Sequence, residues 1–418
     1  MIKKHSAETV YTVYNILISA FFALAFTVNM VYFVTNAHLD PLQLVLVGTS
    51  LEASIFIFEI PTGIVADTVS RRLSVVLGVF LMGIGTFLSG LIPVFIPILI
   101  AQVIWGLGYT FTSGALDAWI SDEVGEENAG VVFLHGTKVS QYGGLAAIPV
   151  SILLAQGSIA TPILVSGVLF WFLGVYLIRF MPETGFQPAP REDRSTWQHM
   201  GQTLRSGVGM LRVRPALASI LTIGLFIGLY SEGFDRLWNA HILEQFTFPQ
   251  IAGMKMITWF GIMEATQQVL TILAVRGVEK RADTSQTPQL VRSLAGLSAA
   301  LIISLLVFAL AGNLWLAVVS VIAIGVVRSL IWPLYTAWVN HRLDSSVRAT
   351  VLSMSGQVDS IGQISSGPLL GIIARRYGIQ TGLLGSVLLL LPVLPLLLRQ
   401  LKNGEPHPEI AVLPESQP

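Results

Sequence analysis

Residues 59–72 read EIPTGIVADTVSRR. As far as Ala66 the stretch is apolar except for Glu59, and then Asp67, Arg71 and Arg72 mark a water interface. The apolar run that ends here reaches back to about residue 41, and the next runs from about 73 to 92. Two runs of roughly 20 residues joined by a short charged loop are consecutive membrane helices. The same punctuation gives further runs at 9–35, 96–121, 130–154 and 161–181, and after a gap at 215–240, 251–276, 290–311, 314–340, 348–373 and 378–401. Helices are the only plausible spans, because barrel strands would alternate with period two.

Composition agrees with twelve spans. The 418 residues are 53% hydrophobic and 11% charged, where soluble domains carry roughly 25% charged residues. An ordinary soluble enzyme is excluded. Lys plus Arg and Asp plus Glu are both 24, so the basic excess of a nucleic-acid binder is missing and no nucleic acid is expected as partner. With no cysteine, disulfides and thiolate chemistry are ruled out. No Walker loop, HExxH, serine-hydrolase elbow or kinase set occurs, so neither catalysis nor a metal or cofactor is expected. Met1–Lys4 followed by an apolar run to Val34 reads as a first membrane helix, not as a cleaved signal.

Placing the amino terminus inside puts most lysines and arginines on the inner side and only Arg375 and Arg376 in an outer loop. Both termini are therefore expected in the cytoplasm. The domains expected are a six-helix bundle over 1–181, a cytoplasmic linker over 182–214, a second bundle over 215–401 and a tail over 402–418. In the linker, Ser195 and Gln198 make a capping box ahead of Trp197, Leu204, Val208 and Leu211, the pattern of a basic amphipathic helix.

A shift of 219 residues superimposes Gly106 on Gly325, Ala118–Trp119 on Ala337–Trp338, Val139 on Val358, Gly143 on Gly362 and Pro149 on Pro368, without a gap. Parallel repeats of six helices, with a substrate site between them near the midplane, are a common secondary-transporter plan. The fold class expected is all-α integral membrane, twelve helices in two pseudo-symmetric bundles.

The loop quoted above resembles the signature loop of the major facilitator superfamily: a glycine, three residues, an aspartate and a basic cluster, here Gly63, Asp67, Arg71 and Arg72. The fourth span ends AWISDEVGEE, similar to the acidic end of that helix in drug/proton antiporters of the superfamily, with Asp122 as the matching residue. The nearest likeness is the multidrug, tetracycline and macrolide efflux branch. This resemblance implies a proton-linked antiporter of the bacterial inner membrane, working as a monomer. Thr68, Ser70 and Asn128 depart from the pattern, standing where the family usually has a basic residue, glycine and arginine. Physically, Asp67 could face a helix N-terminus such as that at Asp344–Ser346, and Arg71 or Arg72 could pair with Asp122, together latching the inner side of the two bundles. Two arginines after a span also satisfy the inside rule alone.

Charges within the spans are the residue-level clue to coupling. The acids are Glu52, Glu59, Asp117, Glu232, Asp235, Glu264 and Asp359, against Lys138, Arg236, Lys255 and Arg328. An ionised side chain mid-helix costs about 2.5–3.5 kcal/mol on insertion scales, so surplus acids should bind protons or cations, or face a wet cavity. Candidate coupling residues are Glu52, Glu59, Asp117, Glu264 and Asp359, with Lys138 and Arg328 as charge partners. A structural Asp117–Lys138 pair competes with a proton site at Asp117. Glu232 and Arg236, one turn apart, favour a local ion pair, and Arg328 could neutralise Glu264 or Asp359. Tyr109, Ser113 and Asp117, spaced by four, map under the repeat onto Arg328, Trp332 and Thr336. In the family the first, fourth, seventh and tenth helices line the cavity, which adds Asn15, Asn29 and Tyr32; Trp332 and Tyr335 are either cavity or packing aromatics. An acidic, aromatic cavity suits an amphipathic cation.

Export of hydrophobic or cationic small molecules in exchange for protons is the expected function. Proton-coupled uptake of a metabolite and a non-transporting sensor or lipid scramblase on the same scaffold are the rivals.

Overall fold

The computed structural model describes residues 6–188, 215–249, 254–281, 287–342 and 345–402. The described residues form fourteen helices: α1 (Ala7–Thr35), α2 (Pro41–Thr68), α3 (Arg71–Leu91), α4 (Phe95–Thr112), α5 (Ala115–Val124), α6 (Glu126–Ala155), α7 (Ala160–Phe180), α8 (Pro215–Gln245), α9 (Met256–Arg281), α10 (Thr287–Ala309), α11 (Leu314–Arg342), α12 (Ser345–Tyr377), α13 (Ile379–Leu390) and α14 (Val393–Lys402). They make the twelve expected spans, because α4–α5 and α13–α14 are each one span in two pieces. The expected linker helix and the Asp344–Ser346 site fall where nothing can be described of their side chains.

Local chemistry explains where the helices start. Asp40 and Gln43 form a reciprocal capping box ahead of α2, with Pro41 in its first turn. Ser70 caps α3 by accepting from the Leu73 amide at 2.9 Å. Thus the serine that departs from the family glycine serves as a helix cap.

Eight spans are long and apolar enough to cross a membrane on hydropathy alone. The other four, α6, α8, α9 and α12, hold most of the intramembrane charges. Packing is knit by small residues and by hydroxyls that donate to a neighbouring helix's carbonyl. Ser151 reaches Leu24 at 2.7 Å, Ser166 reaches Phe21 at 2.8 Å, Ser54 reaches Val103 at 2.8 Å and Ser74 reaches Phe111 at 2.7 Å.

The repeat is physical. In the first half α1 packs on α6 and α7, α3 on α4 and α7, and α2 on α4; in the second α8 packs on α12 and α13, α10 on α11 and α14, and α9 on α11. Each landmark glycine sits at the matching crossing. Gly143 of α6 lies against the Ile16 backbone of α1, and Gly362 of α12 against the Leu225 and Leu229 backbone of α8. Likewise Gly106 meets Ser54 of α2, and Gly325 meets Gln267 of α9.

The fourth span departs from a straight helix. Ser113 is extended and Gly114 adopts φ +69°, which ends α4 and restarts the chain as α5. The 219-residue shift places Pro333 at the equivalent point of α11, where the missing N–H leaves a carbonyl one turn earlier unpaired. Both halves weaken the same helix at the same depth.

The halves touch mainly through α2 with α12 and α8, and α6 with α9. Among the described residues, the polar contacts that tie the two halves together lie on the side away from the termini: Asp40–Arg375 at 3.6 Å, Gln156 to Thr258 at 3.1 Å, and Lys255 to the Gln156 carbonyl. Near the terminus side, a Cβ at Gly63 or Gly130 would meet nothing within 4 Å.

Candidate substrate and coupling site

On the side bearing the termini the signature loop is stitched to the end of the fourth span. Arg71 pairs with Asp122 and also donates to the Ala118 carbonyl at 2.6 Å. Arg72 does not reach Asp122. Its amide donates to Glu183 at 2.8 Å and its guanidinium to the Ile178 carbonyl. Glu183 also accepts from Ser70 at 2.7 Å, Glu123 accepts from the Thr184 hydroxyl at 2.7 Å, and Trp119 donates to the Pro182 carbonyl at 2.7 Å. The segment Met181–Phe186 is therefore pinned beneath the first half, a role no reading of the linker foresaw. The expected latch between bundles is corrected in one respect: Arg71 and Asp122 both belong to the first half, so their pair cannot hold the halves together. Asp67 is exposed and forms no ion pair among the described residues.

The intramembrane charges sort into paired and unpaired sets. Glu232 and Arg236 pair at 3.1 Å as expected. Arg328, expected to neutralise Glu264 or Asp359, instead binds Asp235 through both terminal nitrogens, the second at 2.9 Å. Its guanidinium lies 5.7 Å from the Tyr230 ring centre and 5.9 Å from that of Phe234, so aromatic faces hold it as well. Depth along a helix is legible in sequence but azimuth around a neighbour is not, which is why the sequence does not single out Asp235 as the partner of Arg328.

The Asp117–Lys138 pair does not form. Asp117 accepts from the Tyr11 hydroxyl at 3.4 Å, because the break at Gly114 turns α5 away from the axis of α4. Lys138 is exposed on α6 without an ion pair among the described residues. Tyr109 still gathers acids: Glu59, Glu52 and Asp117 all act on it electrostatically, and its ring stacks on Trp105 at 5.6 Å. In the second half Asp359 accepts from Gln363 at 2.8 Å. Glu264 lies beside Thr27 of α1.

Two cavities of about 240 Å³ each occupy this region. One lies between the halves, where Phe26, Thr27 and Met30 of α1 face Trp238, Glu264 and Gln267. The other is enclosed by the second half, with Tyr230, Ser298, Trp332, Asp359 and Gln363 in its wall. Asp235 and Arg328 line both, so their ion pair is the partition.

Several expected cavity residues prove to be packing residues. Tyr32 is buried and donates to the Gly90 carbonyl at 2.9 Å. Tyr335 is buried, donating to the Ile220 carbonyl at 2.9 Å, with Ser355 Oγ at 3.0 Å. Asn15 caps back onto the Tyr11 carbonyl at 2.8 Å, and Asn29 lines neither cavity. The hydroxyls and amides sought as ligands were recruited to satisfy backbone carbonyls at helix crossings. Trp332 does line a cavity, more than half exposed and stacked on Tyr335 at 5.9 Å. Phe26, Thr27, Trp238, Gln267 and Gln363 were not picked out, and periodicity alone would have read them as packing or lipid-facing positions.

The sequence profile of the Major Facilitator Superfamily matches residues 11–367. The chain belongs to the Major Facilitator Superfamily. A similar protein is the uncharacterized MFS-type transporter YxaM of Bacillus subtilis (strain 168), 23% identical over 375 residues, 87% of this chain and 89% of that one. Among solved structures the nucleoside transporter NupG (D323A mutant) matches with a TM-score of 0.74 at 14% identity, covering 94% of this chain and 99% of its own. A POT family transporter in complex with a thioalcohol-conjugated peptide matches at 0.71 and 13%, covering 94% and 95%. At such identities the likeness is one of fold. This superfamily member is therefore a multi-pass membrane transporter, and its family is one of transporters rather than enzymes.

Proposed function

We propose that the chain exports hydrophobic or cationic small molecules in exchange for protons, by alternating access and as a monomer. The observation that carries this reading is the set of carboxylates within the spans that form no ion pair among the described residues, above all Glu264 and Asp359, which line the cavities. Acids that cannot be neutralised internally must take protons or a cationic solute when out of water, and a site able to take either exchanges one for the other. Trp238 and Trp332, which line the cavities, supply ring faces for an amphipathic cation. The basic bias supports a cytoplasmic placing of the terminus side in an inner membrane. A second reading, uptake of a polar metabolite, is favoured by the directed groups of the Asp235–Arg328 and Asp359–Gln363 pairs.

The deciding experiment is movement of a cationic dye in proteoliposomes under an imposed pH gradient, comparing wild type with Asp117→Asn, Glu264→Gln and Asp359→Asn. Gradient-driven dye movement, abolished in at least one variant, is expected. If the dye ignores the gradient in wild type, export of cations is wrong and the uptake reading is next.

A further inference from the structure

The cavity within the second half adjoins the space where the halves meet, sharing Asp235 and Arg328 with it. It is bounded by α8, α10, α11, α12 and the α13–α14 junction, and no residue of the first half lines it. Its volume of about 240 Å³ exceeds the roughly 150 Å³ of an engineered cavity that accepts benzene. One aromatic ring with a short side chain fits.

Its chemistry is lopsided. Arg328 is spent on Asp235 and on the faces of Tyr230 and Phe234. Asp359 keeps only the neutral amide of Gln363 as hydrogen-bond partner, and forms no ion pair among the described residues. Trp332 uses one ring face on Tyr335 and is 56% exposed, so its other face borders the cavity. A carboxylate whose nearby arginine is already paired to another acid, and an indole face in the same cavity, suit a cation attached to an aromatic ring.

We propose that this chamber is a binding site, in the second half alone, for a protonated aromatic monoamine: the ammonium on Asp359, the ring against Trp332, and the Asp235–Arg328 pair as the wall towards the interface between halves. The proposal deepens the cation-export reading and rests on it for the class of solute. Its test is an equilibrium measurement without a gradient, so it can fail while dye export stands, or stand while export fails.

Because the protein has no cysteine, Ser298→Cys, at a buried chamber position, supplies a sole thiol. Its reaction with aminoethyl methanethiosulfonate is followed in the purified full-length protein with and without phenethylammonium, and with neutral 2-phenylethanol as the uncharged comparison. The amine is expected to slow labelling about tenfold, the alcohol hardly at all, and Asp359→Asn should remove the protection. Equal protection by amine and alcohol, or protection that survives Asp359→Asn, would overturn the proposal. Calorimetric titration of phenethylammonium into wild type, Asp359→Asn and Trp332→Leu decides the matter should the thiol not react. Wild type should bind and each variant should bind about tenfold more weakly; absence of binding to wild type, or equal binding by all three, refutes it. Unchanged thermal unfolding of the variants separates lost ligand from lost fold.

Discussion

Arg328 is held by two carboxylate oxygens and two aromatic faces at once. A lysine offers charge without the planar fork, so Arg328→Lys should not restore the contact. Removing one partner of a fully buried pair costs about 3–5 kcal/mol. Here both side chains are about one-third exposed, and Asp235→Asn should cost less, about 2 kcal/mol. A double-variant cycle of Asp235→Asn with Arg328→Gln, read by thermal unfolding in detergent, is expected to give a coupling of about 1–2 kcal/mol. A coupling near zero would mean that the pair is incidental to the partition. The pairing could not be read from the chain: seven acids and four bases admit many matchings, and only the rotation of α8 against α11 selects one. Glu232–Arg236 was legible because both ends lie on one helix, one turn apart.

At the scale of elements, the break between α4 and α5 separates backbone strain from steric clash. A Cβ at Gly114 would meet nothing within 4 Å, yet φ is +69°. Gly114→Ala should therefore destabilise by about 1–2 kcal/mol through the backbone alone, and swing Asp117 relative to Tyr11. Gly143 and Gly362 are the opposite case, with neighbouring backbone in the way. Each changed to Ala should cost about 1–3 kcal/mol by overpacking, and similar costs at both positions would express the repeat energetically. Unfolding curves of the three variants check both statements. The twelve spans were legible because a bilayer demands length and apolarity, which a single chain displays openly. The pieces within spans were not: a glycine amid Thr112, Ser113 and Ala115 reads like the many glycines that merely permit close packing. The buried roles of Tyr32 and Tyr335 were hidden for a related reason, since a hydroxyl at mid-membrane looks equally suited to a ligand and to a neighbour's carbonyl.

For the molecule as a whole, the halves meet most closely where α2 passes α8 and α12. Gly48 of α2 admits the Glu232–Arg236 pair of α8 directly above it, and Gly367 of α12 packs on Thr49 and Glu232. A larger residue at 48 strains only the form in which these helices meet. Gly48→Leu should raise the closed form by about 1–3 kcal/mol and so increase exposure of a sole thiol at Thr49→Cys about fivefold or more. Labelling by an impermeant maleimide from the face bearing residues 36–40 measures it; an unchanged rate would mean that these helices do not form the barrier on that side.

Asp40–Arg375 belongs to the same meeting of the halves, and the Arg375 side chain is 60% exposed. Such a pair contributes about 0–1 kcal/mol and weakens as ions are added. Only the solution bathing that face can reach it. Raising ionic strength there loosens the closed form, while the same salt on the other face leaves this contact alone. A transporter so arranged would turn over at a rate tuned by the salinity of one compartment, a dependence that follows from where a single arginine lies.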